Sequence, residues 1–253
     1  MSTRTGALLA LITTLALAAC QPAAPSTPEA PPTFTYQGSD VAQFDTYQAR
    51  FVLEFDGSNL SGAPAAVRWE NNVQGQKEPA TFALRSEFSG EGLEAVDAFQ
   101  GAGGSVYLLN TPETSYLETV SGIERYCVAI PATGEDPALA YEDLVPDLND
   151  FLGQDSASPV LGLVAAQEEV NGVQAAHYRA ENITTDANLQ NATIDLWYVL
   201  DPGYVVRISM TGAGDIPELG TGAITITYDV LSVNQGLEFA IPENCAEFDA
   251  PQG

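Results

Sequence analysis

The chain has 253 residues, 45% of them hydrophobic, and sets 34 Asp and Glu against eight Lys and Arg, a formal charge of −26 with a single histidine. So acidic a surface repels phosphate-rich partners, and a few scattered cations cannot form the basic patch that nucleic-acid binding or electrostatic docking to anionic lipid requires. Calcium binding, a salt-rich habitat or a simply solvated acidic surface are the readings left, and no D-x-D-x-D-G loop of the EF-hand kind occurs.

The first nineteen residues hold one charge, Arg4, followed by the apolar run Ala7 to Ala19, which is too short and too abruptly ended to span a bilayer. Residues 1–19 therefore read as a secretory signal. Leu17-Ala18-Ala19-Cys20 resembles the lipobox cut by lipoprotein signal peptidase, which would leave Cys20 acylated at the head of the mature chain. The alternative is an ordinary signal with an A-x-A cut and an incidental cysteine. Lipidation predicts firm anchoring, since each buried CH₂ contributes about 0.8 kcal/mol. Loss of the signal removes Arg4 and no acid, leaving seven cations against 34 acids, a formal −27. From Gln21 to about Pro32 the sequence QPAAPSTPEAPP has almost nothing to bury, so 20–32 is expected to be a lipidated, disordered spacer. Residues 33–253 are then a single domain, expected to be monomeric and held outside the cytoplasm at the cell membrane or envelope.

Period-two alternation predicts strands along the first half of that domain. Tyr47, Ala49, Phe51, Leu53 and Phe55 share one face, with Gln48, Arg50 and Glu54 on the other; Val67 and Trp69 continue the pattern. Phe82, Leu84 and Phe88 then alternate with Arg85 and Glu87, and short runs follow at Ser105–Asn110 and Ser115–Thr119. Asn71-Asn72, Gly103-Gly104 and Asn171-Gly172 read as turn signals, Asn-Gly being suited to a type I′ hairpin.

Between the β-rich halves, Asp136-Pro137, Val145-Pro146 and Ser158-Pro159 place proline at plausible first helical positions. In Ala138–Leu152, Tyr141, Leu144, Leu148, Phe151 and Leu152 recur at helical spacing, with Pro146 dividing the element. Short amphipathic helices packed on a curved sheet would make a lid.

Downstream, Glu168–Val170 and Val173–Arg179 form the arms of a hairpin, and Thr193–Leu200, Tyr204–Thr211 and Ala223–Val233 read as a meander with a tight Asp201-Pro202-Gly203 connection. A Ser–His–Asp or Cys–His catalytic arrangement would have to use His177, which sits in a strand arm and reads as a strand histidine. No G-x-S-x-G elbow, H-E-x-x-H or phosphate-cradling glycine loop occurs, and thirty-four acids always supply carboxylate pairs. No enzyme activity, cofactor or metal is expected. Cys127 and Cys245 remain once Cys20 is acylated, and in an exported chain an even pair reads as a disulfide.

Phe51, Phe55, Trp69, Phe82, Tyr107, Trp197 and Tyr204 supply a surplus of aromatic strand faces, which a curling sheet turns into either a cavity wall or a dry core. The lipobox LAAC, the strand YQARFVLEF, the hairpin EEVNGVQAAHYRAE, the segment IDLWYVLDPGYVVRISM, and the strand AITITYDVLSVN with the terminal IPENC together resemble the LolA/LolB-like lipoprotein superfamily, in particular its LppX/LprG-type lipid-binding lipoproteins. The resemblance spans about Tyr47 to Cys245. It implies a mainly β (α+β) fold, in which a curved antiparallel sheet or half β-barrel carries a helical lid over an apolar cavity. It also implies carriage of lipids or other apolar ligands, with membrane contact through the Cys20 anchor. The acidity and the Cys127–Cys245 pair depart from that family. Strand phase nominates Phe51, Leu53, Phe55, Trp69, Phe82, Leu84, Leu196 and Tyr198 as cavity residues, with Leu144, Leu148 and Phe151 from the lid. The competing expectation is a surface-displayed structural or protein-interaction module with a filled core.

Overall fold

The computed structural model describes residues 43–91, 103–132, 160–183, 189–216 and 220–248. Residues 1–32, with the expected signal, Cys20 and spacer, and the expected lid residues Leu144, Leu148 and Phe151 lie outside the described residues. Alternating sequence produces twelve strands: β1 Thr46–Ser58, β2 Pro64–Gln76, β3 Thr81–Glu91, β4 Gly104–Asn110, β5 Thr114–Ser121, β6 Glu124–Pro131, β7 Gly162–Val170, β8 Val173–Ile183, β9 Gln190–Val199, β10 Tyr204–Ile216, β11 Gly220–Val233 and β12 Ala246–Glu247. They form one open, curled sheet in the order β12-β6-β5-β4-β3-β2-β1-β11-β10-β9-β8-β7. Every pairing is antiparallel except the short parallel contact of β12 with β6. Two meanders, β1–β6 and β7–β11, thus join through the long β1–β11 pairing, where Tyr47–Ser58 lies beside Thr221–Val233.

The turns follow from local chemistry. Asn171 and Gly172 both adopt positive φ, 50° and 80°, as the type I′ turn between β7 and β8 requires. Between β1 and β2, Asn59 Oδ1 accepts hydrogen bonds from the backbone N–H of Ser61 and Ala63, closing the chain reversal with a side chain. Asn71-Asn72, expected as a turn, instead lies in the middle of β2, where both residues pair with β1 and β3. Val67, Trp69 and Val73 keep one phase through the asparagines, and continuous pairing on both sides outweighs their turn preference. β6 and β12 have no counterpart among the expected strands.

Register divides the sheet into two faces. One carries Ala49, Phe51, Leu53 and Phe55 of β1, Val67, Trp69 and Val73 of β2, Phe82 and Leu84 of β3, Ile194 and Leu196 of β9, Ile208 and Met210 of β10, and Ile224, Ile226 and Tyr228 of β11. These side chains belong to one core cluster. Phe55 lies across Gly57 and Gly222, which face each other on β1 and β11; a Cβ on Gly222 would meet the Phe55 ring at 2.8 Å and Gly57 Cα at 2.8 Å.

The opposite face is polar. A single register row crosses eleven strands as Ala165, His177, Trp197, Arg207, Asp229, Arg50, Asn72, Arg85, Tyr107, Glu118 and Cys127. Tyr107 and Trp197 therefore do not belong to the apolar face, correcting the sequence expectation: their partners Arg85 and Arg207 fix their phase. At the β6 edge the Cys127–Cys245 disulfide pins the chain after β11 against the polar face. Phe239 packs there on Ala83, Tyr107 and Leu109, and the Tyr107 hydroxyl donates to Ala240 O at 2.9 Å.

Candidate apolar binding face

The eight described cavity candidates share the apolar face and its core cluster. Phe51, Phe55, Phe82 and Leu196 are buried, while Leu53, Trp69, Leu84 and Tyr198 are partly exposed. The difference follows position in the sheet. Across β8–β11 the face is closed by packing apart from partly exposed Tyr198 near the end of β9: Tyr178, Ile194, Leu196, Met210, Ile224 and Ile226 are all buried, Leu196 completely at 0% exposure. Across β2–β6 it is half open, with Trp69, Phe88, Val106, Leu108 and Leu117 partly exposed and Tyr126 and Ile130 exposed. Phe88 and the β4–β6 residues were missing from the sequence-derived set. The alternation Tyr126, Val128, Ile130 is present in β6, but the flanking Arg125, Cys127 and proline at 131 obscured a strand that only pairing with β5 defines.

The aromatic end of this half-open stretch is ordered by ring contacts. Trp69 meets Phe51 edge-on at 5.7 Å between centroids and stacks on Phe88 at 5.5 Å. Its indole N–H donates to Ser86 Oγ at 2.8 Å, so a polar atom pair is satisfied inside the apolar face. Beside Ser86 in the same register row stands Asn71, whose Oδ1 is buried without a hydrogen-bond partner; further along the face, Asn110 Nδ2 is buried and equally unpartnered. No charged side chain occupies this face from β1 to β5.

The strand arginines Arg50, Arg68, Arg85, Arg125, Arg179 and Arg207 all point to the other side. Asp229, 1% exposed, accepts from Arg207 Nε at 2.5 Å and Arg50 Nη2 at 3.1 Å, and from Asn171 Nδ2 at 3.2 Å, tying the β7–β8 turn to β11. Arg68 bridges Glu54 and Glu70; hydrogen bonding from Arg68 holds the Glu70 carboxyl below the usual glutamate value, against the opposing effect of burial. Burial raises the Tyr107 and Tyr204 hydroxyls above the ordinary phenol value.

His177 is the centre of a second enclosed cluster on that polar face. Its Nδ1 lies 3.0 Å from Glu168 Oε2 and its Nε2 lies 2.6 Å from Asp195 Oδ1, while its ring stacks on Trp197 at 4.4 Å. Arg179 Nε also donates to Asp195, at 2.7 Å. Both ring nitrogens are taken by carboxylates from the strands on either side, so the imidazole fastens β7 and β9 to β8. Glu168 and Asp195 were not identifiable from sequence spacing because three strands bring them together. Among the described residues no group of three or more His, Cys, Asp or Glu is placed to hold a metal ion. A depression of about 190 Å³ lies between the β7–β8 hairpin and the end of β9, lined by Ala166, Gln167, Gln174–Ala176 and Val199–Asp201; none of the eight candidates borders it. No family model and no curated protein matches the chain.

Proposed function

We propose that this chain is an exported, lipid-anchored protein that binds lipids or other apolar ligands on the apolar face of its sheet. The observation carrying this reading is the uneven burial of that face, sealed over β8–β11 and half open over β2–β6. Covering apolar surface contributes roughly 25 cal/mol per Å², and contiguous exposed apolar surface marks a place where something binds. The Leu17–Cys20 sequence and the similarity to LolA/LolB-like lipoproteins favour the same class. On this reading Cys20 provides the membrane contact, Leu53, Trp69 and Leu84 meet the ligand, and the protomer acts alone outside the cytoplasm without a cofactor or covalent step.

A second reading, a surface-displayed structural or protein-interaction module, draws on the tightly packed β8–β11 half and its fully buried Leu196. Native mass spectrometry of the intact, tag-purified chain separates the two. The carrier reading expects a stoichiometric noncovalent acyl or isoprenoid species beyond the mass of any covalent anchor. A ligand-free mass that persists after incubation with envelope lipids would transfer the assignment to the interaction module.

A further inference from the structure

We infer that His177 is a proton-operated latch on the terminal strand: the doubly protonated ring fixes β7 to the sheet, and loss of one proton to solvent frees the β7 edge. The inference is independent of what the apolar face binds. β7 lies at the end of the strand order and pairs with β8 alone. That ladder is irregular twice, between Leu163 and Ala165 and between Ala165 and Glu168, and six of the nine β7 residues are exposed. The buried side chains are Leu161, just ahead of the strand, and Val170 at the turn. Between them the contact of Glu168 with His177 ties the edge down on the polar face. A strand with an interrupted ladder and little buried surface belongs to the low end of local stability, where one charge-assisted contact sets how often it opens.

The surroundings of the ring call for both of its protons. Nδ1 lies 3.0 Å from Glu168 Oε2 and Nε2 lies 2.6 Å from Asp195 Oδ1, whereas a neutral imidazole carries hydrogen on one nitrogen only. The other nitrogen would then set a lone pair against a carboxylate at contact distance, in a side chain that is 6% exposed. Arg179 of β8 donates to Asp195 at 2.7 Å and lies 3.9 Å from Glu181; from β9 Trp197 stacks on the ring at 4.4 Å, and Arg207 of β10 lies over the same indole at 5.8 Å. Together with Arg179 the imidazolium balances Glu168 and Asp195, and the indole face favours the same cationic form. The two carboxylates are unequal. Asp195 is 15% exposed and shared with Arg179, while Glu168 is 44% exposed and free to turn to water. A neutral ring therefore keeps its one N–H on Asp195 and releases Glu168, so the hold on β7 is present while the ring is protonated and is lost as pH rises through its titration. Ala166 and Gln167, which immediately precede Glu168 and fall in the irregular stretch of the ladder, form one wall of the depression of about 190 Å³ beside the end of β9. Release of Glu168 frees that wall as well.

Because the chain has one histidine, the imidazole signals in a proton NMR titration of the intact chain report this ring alone. From about pH 5 to about pH 9 that titration is set beside hydrogen exchange of the Gly162–Val170 peptide, corrected for intrinsic rates. Wild-type β7 protection should fall about tenfold as the ring loses its proton, the scale of one charge-assisted hydrogen bond, while β10 and β11 keep theirs. Glu168→Gln should remove the dependence, because an amide meets either form of the ring as acceptor or donor. Glu168→Ala should leave β7 as weakly protected at low pH as the wild type is at high pH, and both changes fall at a half-exposed side chain that the core does not use. Wild-type protection that stays constant through the titration of the ring, a dependence that survives in Glu168→Gln, or a ring that holds one protonation state across the whole range overturns the inference.

Discussion

Replacing Cys127 with serine opens a covalent loop whose ends are 118 residues apart. In the chain-entropy description, −2.1 − 1.5R ln n for a loop of that size gives a ceiling of about 5 kcal/mol at 25 °C, and typical losses are about 2–4 kcal/mol. For a domain of this length, each kcal/mol moves the melting temperature by about 2–4 °C, so Cys127→Ser should melt roughly 5–15 °C below the wild type. The folded state should survive at room temperature, because the terminal segment keeps other attachments. β12 stays paired with β6, the Tyr107 hydroxyl still reaches Ala240 O, and Arg125 Nη2 donates to Glu243 O at 2.9 Å. Thermal melts by circular dichroism, with and without reductant, measure the effect. Cys245→Ser should match Cys127→Ser, reductant should bring the wild type down to both, and the near-ultraviolet signal at 25 °C should be preserved. A melting temperature for Cys127→Ser within about 2 °C of the wild type would refute the reasoning, since the loop term alone predicts more.

The apolar face should respond unevenly to truncation. Leu196→Ala, at a fully buried position, should cost about 2–5 kcal/mol in urea unfolding, whereas partly exposed Leu53→Ala should cost under about 1.5 kcal/mol and alter lipid retention instead; equal costs would mean the β1–β3 region is packed as tightly as β9. Glu70 contributes through a carboxyl held below its ordinary value of 4.5 by Arg68. Its folded-state value is depressed, so its stabilisation is present above the unfolded value and is lost as pH falls through the folded one. Urea midpoints of wild type and Glu70→Gln should therefore differ at neutral pH and converge in acid, and a gap that is constant with pH would contradict the assignment. Cys20→Ser should move the chain from the membrane fraction to the soluble fraction, and continued membrane retention would exclude the lipid anchor.

Much of the sheet was legible because its determinants are local. β1 could be read from Tyr47, Ala49, Phe51, Leu53 and Phe55 alone, since alternation with Gln48, Arg50 and Glu54 leaves only a strand with one buried face. The Asn171-Gly172 hairpin was legible for a similar reason: few residue pairs tolerate positive φ at both central positions. Phase also put Leu196 and Tyr198 on one face of their strand, because period two carries along a strand without knowledge of its neighbours, while pairing through β10 and β11 makes that face the one Phe51 shares. β6 escaped notice because its apolar residues are interrupted by Arg125, Cys127 and a terminal proline, and its place depends on β5.

Composition and chain chemistry by themselves determined the acidic character, the mainly β class and the faces of the best-patterned strands, while the Cys127–Cys245 pair followed from sequence only on the expectation that Cys20 is acylated. Only the tertiary structure decided which faces meet, because strand order and register are set by contacts between residues far apart in sequence. It moved Tyr107 and Trp197 to the polar side, turned Asn71 from a turn residue into a mid-strand residue of the apolar face, and gathered Glu168 and Asp195 around His177. It also separated a closed half of the apolar face from an open one, a distinction no alternation pattern contains. Hydrophobic periodicity records that a side chain faces inward, while the degree of closure depends on what the rest of the sheet brings over it.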